Sequence, residues 1–268
     1  MLLNYRKYGQ GDPLVILHGL YGSSDNWITI AKGLSKNFEV YILDQRNHGN
    51  SPHSPIHTYK SMREDLHEFM DHHQLEKAII LGHSMGGKTA MIFAAQYPER
   101  VTNLIIVDIA PKNYSSLQHN TLTSIDHSKI VDLMLHFNFT GLASRSQIND
   151  LLSKQLPDIK TRQFLLKNLK RLPDRSFTWK LNIRAIAKHL KEIMDGINRD
   201  SFSQKERITG FPVLFIRGEN SSYITEDDHK VIRSIFPYAQ ITTIPNAEHW
   251  VHSQQPSLLV KTIEYFTL

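Results

Sequence analysis

The stretch "LGHSMGGKTA", residues 81–90, fits two sequence motifs that serve different chemistry. Residues 82–86 match G-x-S-x-G, the turn that presents a nucleophilic serine between a strand and a helix. Residues 82–89 also match G-x-x-x-x-G-K-[ST], the loop that binds nucleotide phosphates. The first motif makes Ser84 a nucleophile, whereas the second makes Lys88 and Thr89 ligands of a nucleotide and its Mg²⁺. The rest of the chain has to decide between them.

Short apolar runs alternate with segments of helical periodicity around this stretch. The runs cover residues 14–17, 40–43, 78–81 and 104–107. Such alternation predicts an α/β fold with a mostly parallel central sheet and helices on both faces. Residues that follow parallel strands gather at one edge of the sheet. We therefore expect four side chains to lie at that edge, namely His18, Asp44, Ser84 and Asp108.

The alternation stops after residue 111. Residues 112–207 contain successive segments with apolar i, i+3, i+4 spacing and no clear strand, and residues 211–216 then restore a strand pattern. The sequence therefore predicts a core formed by residues 1–111 and 208–268. It also predicts that residues 112–207 are a helical insertion that caps the core.

Composition excludes several classes of protein. The 268-residue chain has no cysteine, which rules out disulfides, thiolate catalysis and cysteine-ligated metals. It has no run of about 18 apolar residues, the length that would span a membrane, and no signal-peptide pattern at its start. We expect a cytoplasmic protein with a small-molecule substrate and no nucleic-acid partner, because no nucleic-acid motif is present. The oligomeric state stays open.

The net charge of +5 is unevenly distributed. Residues 154–207 carry 14 Lys or Arg and 6 Asp or Glu, whereas the rest of the chain carries 17 and 20. The simpler interpretation is that the solvated faces of polar helices carry these charges. The alternative is attraction of an anionic substrate such as an acyl-coenzyme A thioester.

A phosphate loop needs an acidic partner for Mg²⁺, and Asp108 follows an apolar run as such a partner does. A phosphate loop usually follows the first strand of its domain, however, and two strand–helix units precede this one. The phosphate-loop pattern and Asp108 together therefore leave nucleotide binding open as an alternative.

The nucleophile motif accounts for more positions. A serine hydroxyl needs an adjacent base, and in this architecture the triad follows the chain order serine, acid, histidine. His249 lies after the last predicted strand, in a loop that can return to Ser84. The helix that begins at Met85 directs its N–H groups towards a developing oxyanion, and the loop "HGLYG", through Leu20, is the expected source of the second N–H.

Five blocks in this order resemble the α/β-hydrolase superfamily, and more closely its YbfF-type esterase branch. The blocks are "LVILHGLYGSSDNW", "DQRNHGNS", "GHSMGGKTA", "VDIAP" and "AEHW". The resemblance covers nearly the whole chain apart from the insertion. It implies an eight-stranded core with a helical cap, hydrolysis of carboxylic esters or acyl thioesters, and no metal or organic cofactor. The match to the phosphate loop is then a coincidence.

The triad acid is the member at which the sequence departs from the superfamily pattern. Most relatives carry an aspartate three residues after a glycine, in the loop after the strand that follows the cap, and Ser221 occupies that position here. The YbfF-type branch is similar, and the resemblance places its acid one strand earlier, at Asp108. Glu219 is the next candidate, followed by Asp227 or Asp228.

The sequence thus predicts a Ser84–His249–Asp108 triad with an oxyanion hole from the backbone N–H groups of Leu20 and Met85. Tyr21 and Trp250 are the expected pocket residues. A turn that includes Asp44, Arg46 and His48, together with His18, is expected to brace the site rather than react. We also expect the clustered histidines of this region on the solvated surface, namely His48, His53, His57, His67, His72 and His73. Hydrolysis of a lactone or a C–C bond uses the same triad and also stays open.

Overall fold

A computed structural model describes residues 1–115, 126–197 and 207–268. Within these ranges seven strands form the main sheet, in the spatial order β1-β3-β2-β4-β5-β8-β9. The strands are β1 Tyr5–Tyr8, β2 Asp12–Leu17, β3 Phe38–Leu43, β4 Ala78–His83, β5 Val101–Val107, β8 Val213–Gly218 and β9 Gln240–Ile244. In the main sheet of the described residues only β1 runs antiparallel to its neighbour, so the predicted mostly parallel sheet is confirmed.

The strand count implied by the resemblance is wrong for the described ranges, which hold seven rather than eight strands in this sheet. The antiparallel edge consists of the single strand β1. Its sequence, Tyr-Arg-Lys-Tyr, has no apolar run, and most of it is exposed. Pairing with β3, in which Tyr5 lies opposite Leu43, makes it a strand, and no local pattern predicts that pairing.

Helices cover both faces of the sheet because alternate strand residues point in opposite directions. The described helices outside the segment between β5 and β8 are α1 Ile28–Leu34, α2 Tyr59–His72, α3 Met85–Gln96, α8 Asp228–Ile235, α9 Val251–Gln254 and α10 Pro256–Thr267, with short 3₁₀ turns at Ser24–Trp27 and Pro98–Arg100. Leu14 and Ile16 of β2 pack with α1 and α10 on one face, whereas Val15 and Leu17 pack with α2 and α3 on the other. None of the helices in the described ranges is long and apolar enough to cross a membrane.

The described part of the segment between β5 and β8 is mainly helical but contains a hairpin that the sequence did not predict. Its described helices are α4 His127–Leu135, α5 Arg145–Ser153, α6 Ile159–Leu166 and α7 Ile183–Met194, and its strands are β6 Leu169–Arg171 and β7 Phe177–Trp179. The helical periodicity of "TRQFLLKNLKRL" extends past the true end of α6 at Leu166. The Pro-Asp turn at 173–174 and the buried indole of Trp179, which donates to the Met134 carbonyl at 3.1 Å, favour the hairpin there.

Candidate active site

Ser84 lies at a strained turn between β4 and α3. Its φ of 52° and ψ of −119° place a non-glycine residue in a conformation that L-amino acids rarely adopt. A Cβ on Gly82 would lie 2.2 Å from the Gly86 carbonyl oxygen, and one on Gly86 would lie 2.3 Å from that of Leu17. The two glycines of the motif are therefore required by close backbone contact, and the turn exposes the Ser84 side chain at the carboxyl edge of the sheet.

Asp108 and His249 form a direct hydrogen bond. The Nδ1 atom of His249 lies 2.8 Å from Oδ2 of Asp108, whose side chain is fully buried at the end of β5. The Gly218 N–H donates to Oδ1 at 3.0 Å, and the Ser221 hydroxyl donates to Oδ2. Since a carboxylate accepts, Nδ1 carries the ring proton and leaves Nε2 of the neutral imidazole as an acceptor.

The other candidate acids are engaged elsewhere. Glu219 is exposed and accepts the Asn246 N–H at 2.9 Å. Asp228 pairs with Lys112 at 2.6 Å, and Asp227 is an exposed residue at the start of α8. Among the described carboxylates, the structure brings Asp108 to the histidine.

Ser84 and His249 line the same narrow cavity. Leu20, Tyr21 and Trp250 line it as well, and α4 and α6 supply further walls through His127 and Phe164. A second narrow cavity also reaches Ser84, with Leu20 and Met85 in its lining. The structure thus gathers all seven sequence-predicted site residues around Ser84, His249 and Asp108.

Comparison with known proteins identifies the fold family. Residues 12–256 match the family described as alpha/beta hydrolase fold. The chain belongs to this family. It is 38% identical to the Mus musculus protein named sn-1-specific diacylglycerol lipase ABHD11, over 94% of this chain and 80% of that protein. It is 30% identical to Escherichia coli esterase YbfF, over 95% of this chain and 92% of that protein. A solved structure named marine microorganism esterase matches with a TM-score of 0.92 and 45% identity, over 99% of both chains.

Buried histidines hold the loop of this α/β-hydrolase that carries Leu20. The Gln45 N–H donates to Nε2 of His18 at 2.9 Å, and the Gln45 side-chain amide donates to the His18 carbonyl at 2.6 Å. The Tyr21 N–H donates to Nε2 of His48 at 3.3 Å. Burial lowers the pKa of His48 well below its usual value, which keeps this ring neutral and able to accept.

The prediction that the clustered histidines are solvated is wrong for two of them. His48 and His57 are both fully buried, and burial lowers the pKa of His57 to about 3. The loop that contains them contacts the segment between β5 and β8, where the Asn182 N–H donates to the Asn47 carbonyl at 3.0 Å. This long-range contact has no local sequence signal. Within the described ranges no group of three potential metal ligands is found.

Lys88, the residue that raised the nucleotide alternative, is 1% exposed. Its ammonium donates to the Ile193 carbonyl at 3.4 Å and to the Asp195 carbonyl, at the carboxyl end of α7. It lies 4.9 Å from the ring centre of Tyr114. In this conformation the side chain joins α3 to the carboxyl end of α7, where the negative end of the α7 dipole favours a cation.

The burial of Lys88 gives a pH-dependent prediction. Burial lowers the pKa of Lys88 from 10.5 to about 7, so between pH 7 and 10 the unfolded state binds more protons at this residue. The free energy of unfolding of the wild type, relative to Lys88→Met, should then rise by on the order of 1 kcal/mol per pH unit across this window. Urea unfolding of both proteins at pH 6, 7, 8 and 9 measures the difference. A difference that stays constant would show that Lys88 keeps its proton.

Sequence reasoning missed two side chains at the site. His127 begins α4 and lines both cavities at Ser84, and Tyr223 stacks on the His249 ring. His127 follows the stretch 116–125, which lies outside the described residues, and one histidine among 15 carries no signal of its own. Tyr223 lies two residues after Ser221, in the loop where the superfamily pattern led us to look for an acid.

Proposed function

We propose that the protein is a serine hydrolase that cleaves carboxylic esters through an acyl-enzyme on Ser84. The observation that carries this proposal is the 2.8 Å contact between His249 Nδ1 and buried Asp108, beside a cavity that His249 shares with Ser84. This contact fixes the tautomer that a general base needs. Membership of the α/β-hydrolase family, with esterase and lipase relatives, supports the same reaction class.

In the proposed mechanism Ser84 Oγ attacks the acyl carbonyl carbon while its proton moves to Nε2 of His249. The backbone N–H groups of Leu20 and Met85 hold the oxyanion, each contributing about 3 kcal/mol to the transition state. The first turn of α3 leaves the Met85 N–H without a helical acceptor. His249 then gives the proton to the leaving alcohol, and a water molecule repeats the sequence on the acyl-enzyme.

Residues 112–207 are proposed to be the cap, with residues 1–111 and 208–268 as the catalytic core. Support comes from the cavity walls, because α4 and α6 of this segment reach the cavity shared by Ser84 and His249. The cap would then set the size of the acyl group.

A larger cleft leads outward from His249 and Trp250 and suits the leaving group. Its described lining has three carboxylates and two lysines, namely Asp126, Asp158, Glu248, Lys129 and Lys160. Lys160 is the single described basic residue of the segment 154–207 in this lining, and it pairs with Glu248 at 3.1 Å. The charge of this cleft therefore favours a neutral leaving alcohol over coenzyme A.

The names of the relatives suggest acylglycerols as one class of neutral ester for this chain. Acyl thioesters are the second candidate, which the basic excess of residues 154–207 suggests and the charge of the cleft does not support. The same triad would also hydrolyse a lactone or a C–C bond, and we rank those two reactions below ester hydrolysis.

A fluorophosphonate probe tests the proposal. We expect one covalent adduct on the intact protein, located on Ser84 after digestion, because such a probe reacts with a serine activated by an adjacent base. Denatured protein, in which the triad is dispersed, is the control and should remain unlabelled. A folded protein that takes no label but binds ATP in a Mg²⁺-dependent manner would favour the nucleotide alternative instead.

A further inference from the structure

One face of the His249 imidazole is covered by the ring of Tyr223. The two ring centres lie 3.6 Å apart and the rings are within 16° of parallel. The main chain of His249 is held separately, because Nε2 of buried His83 hydrogen-bonds its carbonyl oxygen at 2.9 Å. Together with the Asp108 contact, the histidine is therefore held at its backbone, at Nδ1 and on one ring face.

The Tyr223 ring is itself fixed by the loop that follows β8. The Tyr223 N–H donates to Ser221 Oγ at 3.2 Å, and the Tyr114 hydroxyl donates to the Tyr223 carbonyl at 2.6 Å. The ring of Tyr114 stacks on that of Tyr223 at 5.3 Å. This loop carries no triad acid, but it supplies the Gly218 and Ser221 donors to Asp108 and the ring against His249.

We infer that Tyr223 is a positioning residue for the His249 base. Its ring holds the plane of the imidazole at the cavity that His249 shares with Ser84, and its π face stabilises the imidazolium formed when Ser84 loses its proton. The inference rests on the proposed function and extends it to a residue outside the triad.

The physical argument begins with the geometry of the base. A hydrogen bond at Nδ1 fixes one atom of the imidazole but leaves the ring free to tilt about that contact. A parallel ring at 3.6 Å opposes the tilt, since tilting would bring the two rings into steric contact. The electron-rich face of a phenol ring also attracts a cation, so the stack favours protonated over neutral His249.

Tyr223 itself exchanges no proton in this scheme. The proton moves from Ser84 Oγ to His249 Nε2 and then to the leaving alcohol. Burial raises the pKa of Tyr223 above its usual value, which keeps its hydroxyl protonated. That hydroxyl lies 3.5 Å from Nε2 of His127, outside the triad.

The titratable groups around His249 decide how the pH dependence of activity can be interpreted. They are Asp108, Tyr223 and three buried histidines, His83, His127 and His252. Burial lowers the pKa of His127 to about 4 and that of His252 to about 3, and it lowers the pKa of His83 well below its usual value. Burial thus favours the neutral form of all three rings, so a change in the acid limb of activity between Tyr223 variants does not arise from them.

The test replaces Tyr223 with Leu and with Phe and measures hydrolysis of an activated neutral ester from pH 5 to 9. Without the ring, Tyr223→Leu should lower kcat by about 10- to 100-fold with a smaller change in KM. Its acid limb should move to lower pH by a few tenths to about one pH unit. With the ring kept, Tyr223→Phe should stay within about threefold of the wild type and retain its acid limb.

Two further variants separate positioning from packing. Tyr114→Phe loosens the same loop by removing the donor to the Tyr223 carbonyl, and it should leave the acid limb unmoved. Tyr223→Met provides a second variant without the ring in case the Leu protein does not fold, with the same expected shift. A ringless variant with wild-type kcat and acid limb would overturn the inference, as would equal loss in Tyr223→Phe.

Labelling and activity measurements distinguish a wrong role for Tyr223 from a wrong proposed function. If wild-type protein takes no fluorophosphonate label on Ser84 and hydrolyses no ester, the proposed function fails. If the wild type is labelled and active while Tyr223→Leu matches it, only the role of Tyr223 is lost.

Discussion

Replacing Ser84 with Ala is expected to lower kcat/KM for an activated carboxylic ester by on the order of 10⁴- to 10⁶-fold. The loss is large because the hydroxyl is the attacking group in the proposed mechanism, and neither the proposed oxyanion N–H groups nor His249 can replace a missing nucleophile. Residual catalysis should come from the oxyanion hole and substrate binding alone. The measurement is steady-state hydrolysis at pH 7.5, with thermal unfolding to confirm that the variant is folded.

Ser35 offers a matched control for this substitution. It is a half-buried serine at the end of α1, away from both cavities at Ser84, and its hydroxyl donates to the Lys32 carbonyl at 2.9 Å. Ser35→Ala removes the same hydroxyl group from the same protein and should stay within about threefold of wild-type activity. A Ser84→Ala protein that keeps more than a hundredth of the activity would place the nucleophile elsewhere.

Much of the site could be predicted from the sequence because its determinants are local. Gly82 and Gly86 mark the turn at Ser84 because a Cβ at either position would overlap nearby backbone oxygens. Asp108 and His249 follow strand patterns, so the rule that side chains gather at the carboxyl edge placed both near the serine. Choosing Asp108 over Glu219, however, depended on the resemblance, because both lie at strand ends.

The remaining features depend on contacts between distant parts of the chain. Strand β1 exists by pairing with β3, and His57 is buried in a loop contacted by Asn182. The pattern around Lys88 indicates a helix but does not show that its ammonium meets carbonyls more than 100 residues later. The sequence likewise does not predict the contact of Tyr223, whose proposed role depends on its stacking on one face of His249.

The choice of triad acid leads to the second large effect. Asp108→Asn should lower kcat by on the order of 10³- to 10⁴-fold, because a neutral amide no longer stabilises the imidazolium and allows the wrong tautomer of His249. The substitution suits the backbone, since Asp108 has a φ of 51° and Asn tolerates the left-handed region as well as Asp does. The Asn carbonyl can also keep the hydrogen bond from the Gly218 N–H, so the fold should survive.

Glu219→Gln is the matched control for that experiment, because it removes one negative charge from the loop that also contacts Asp108. The amide oxygen introduced by this substitution can still accept the Asn246 N–H, which Glu219 binds at 2.9 Å in an exposed position. The activity of this variant should therefore stay within about threefold of the wild type. The reverse result, an active Asp108→Asn and an inactive Glu219→Gln, would move the acid to the loop after β8. The buried contact with His249 would then be a structural hydrogen bond, and the superfamily pattern would prevail over the geometry.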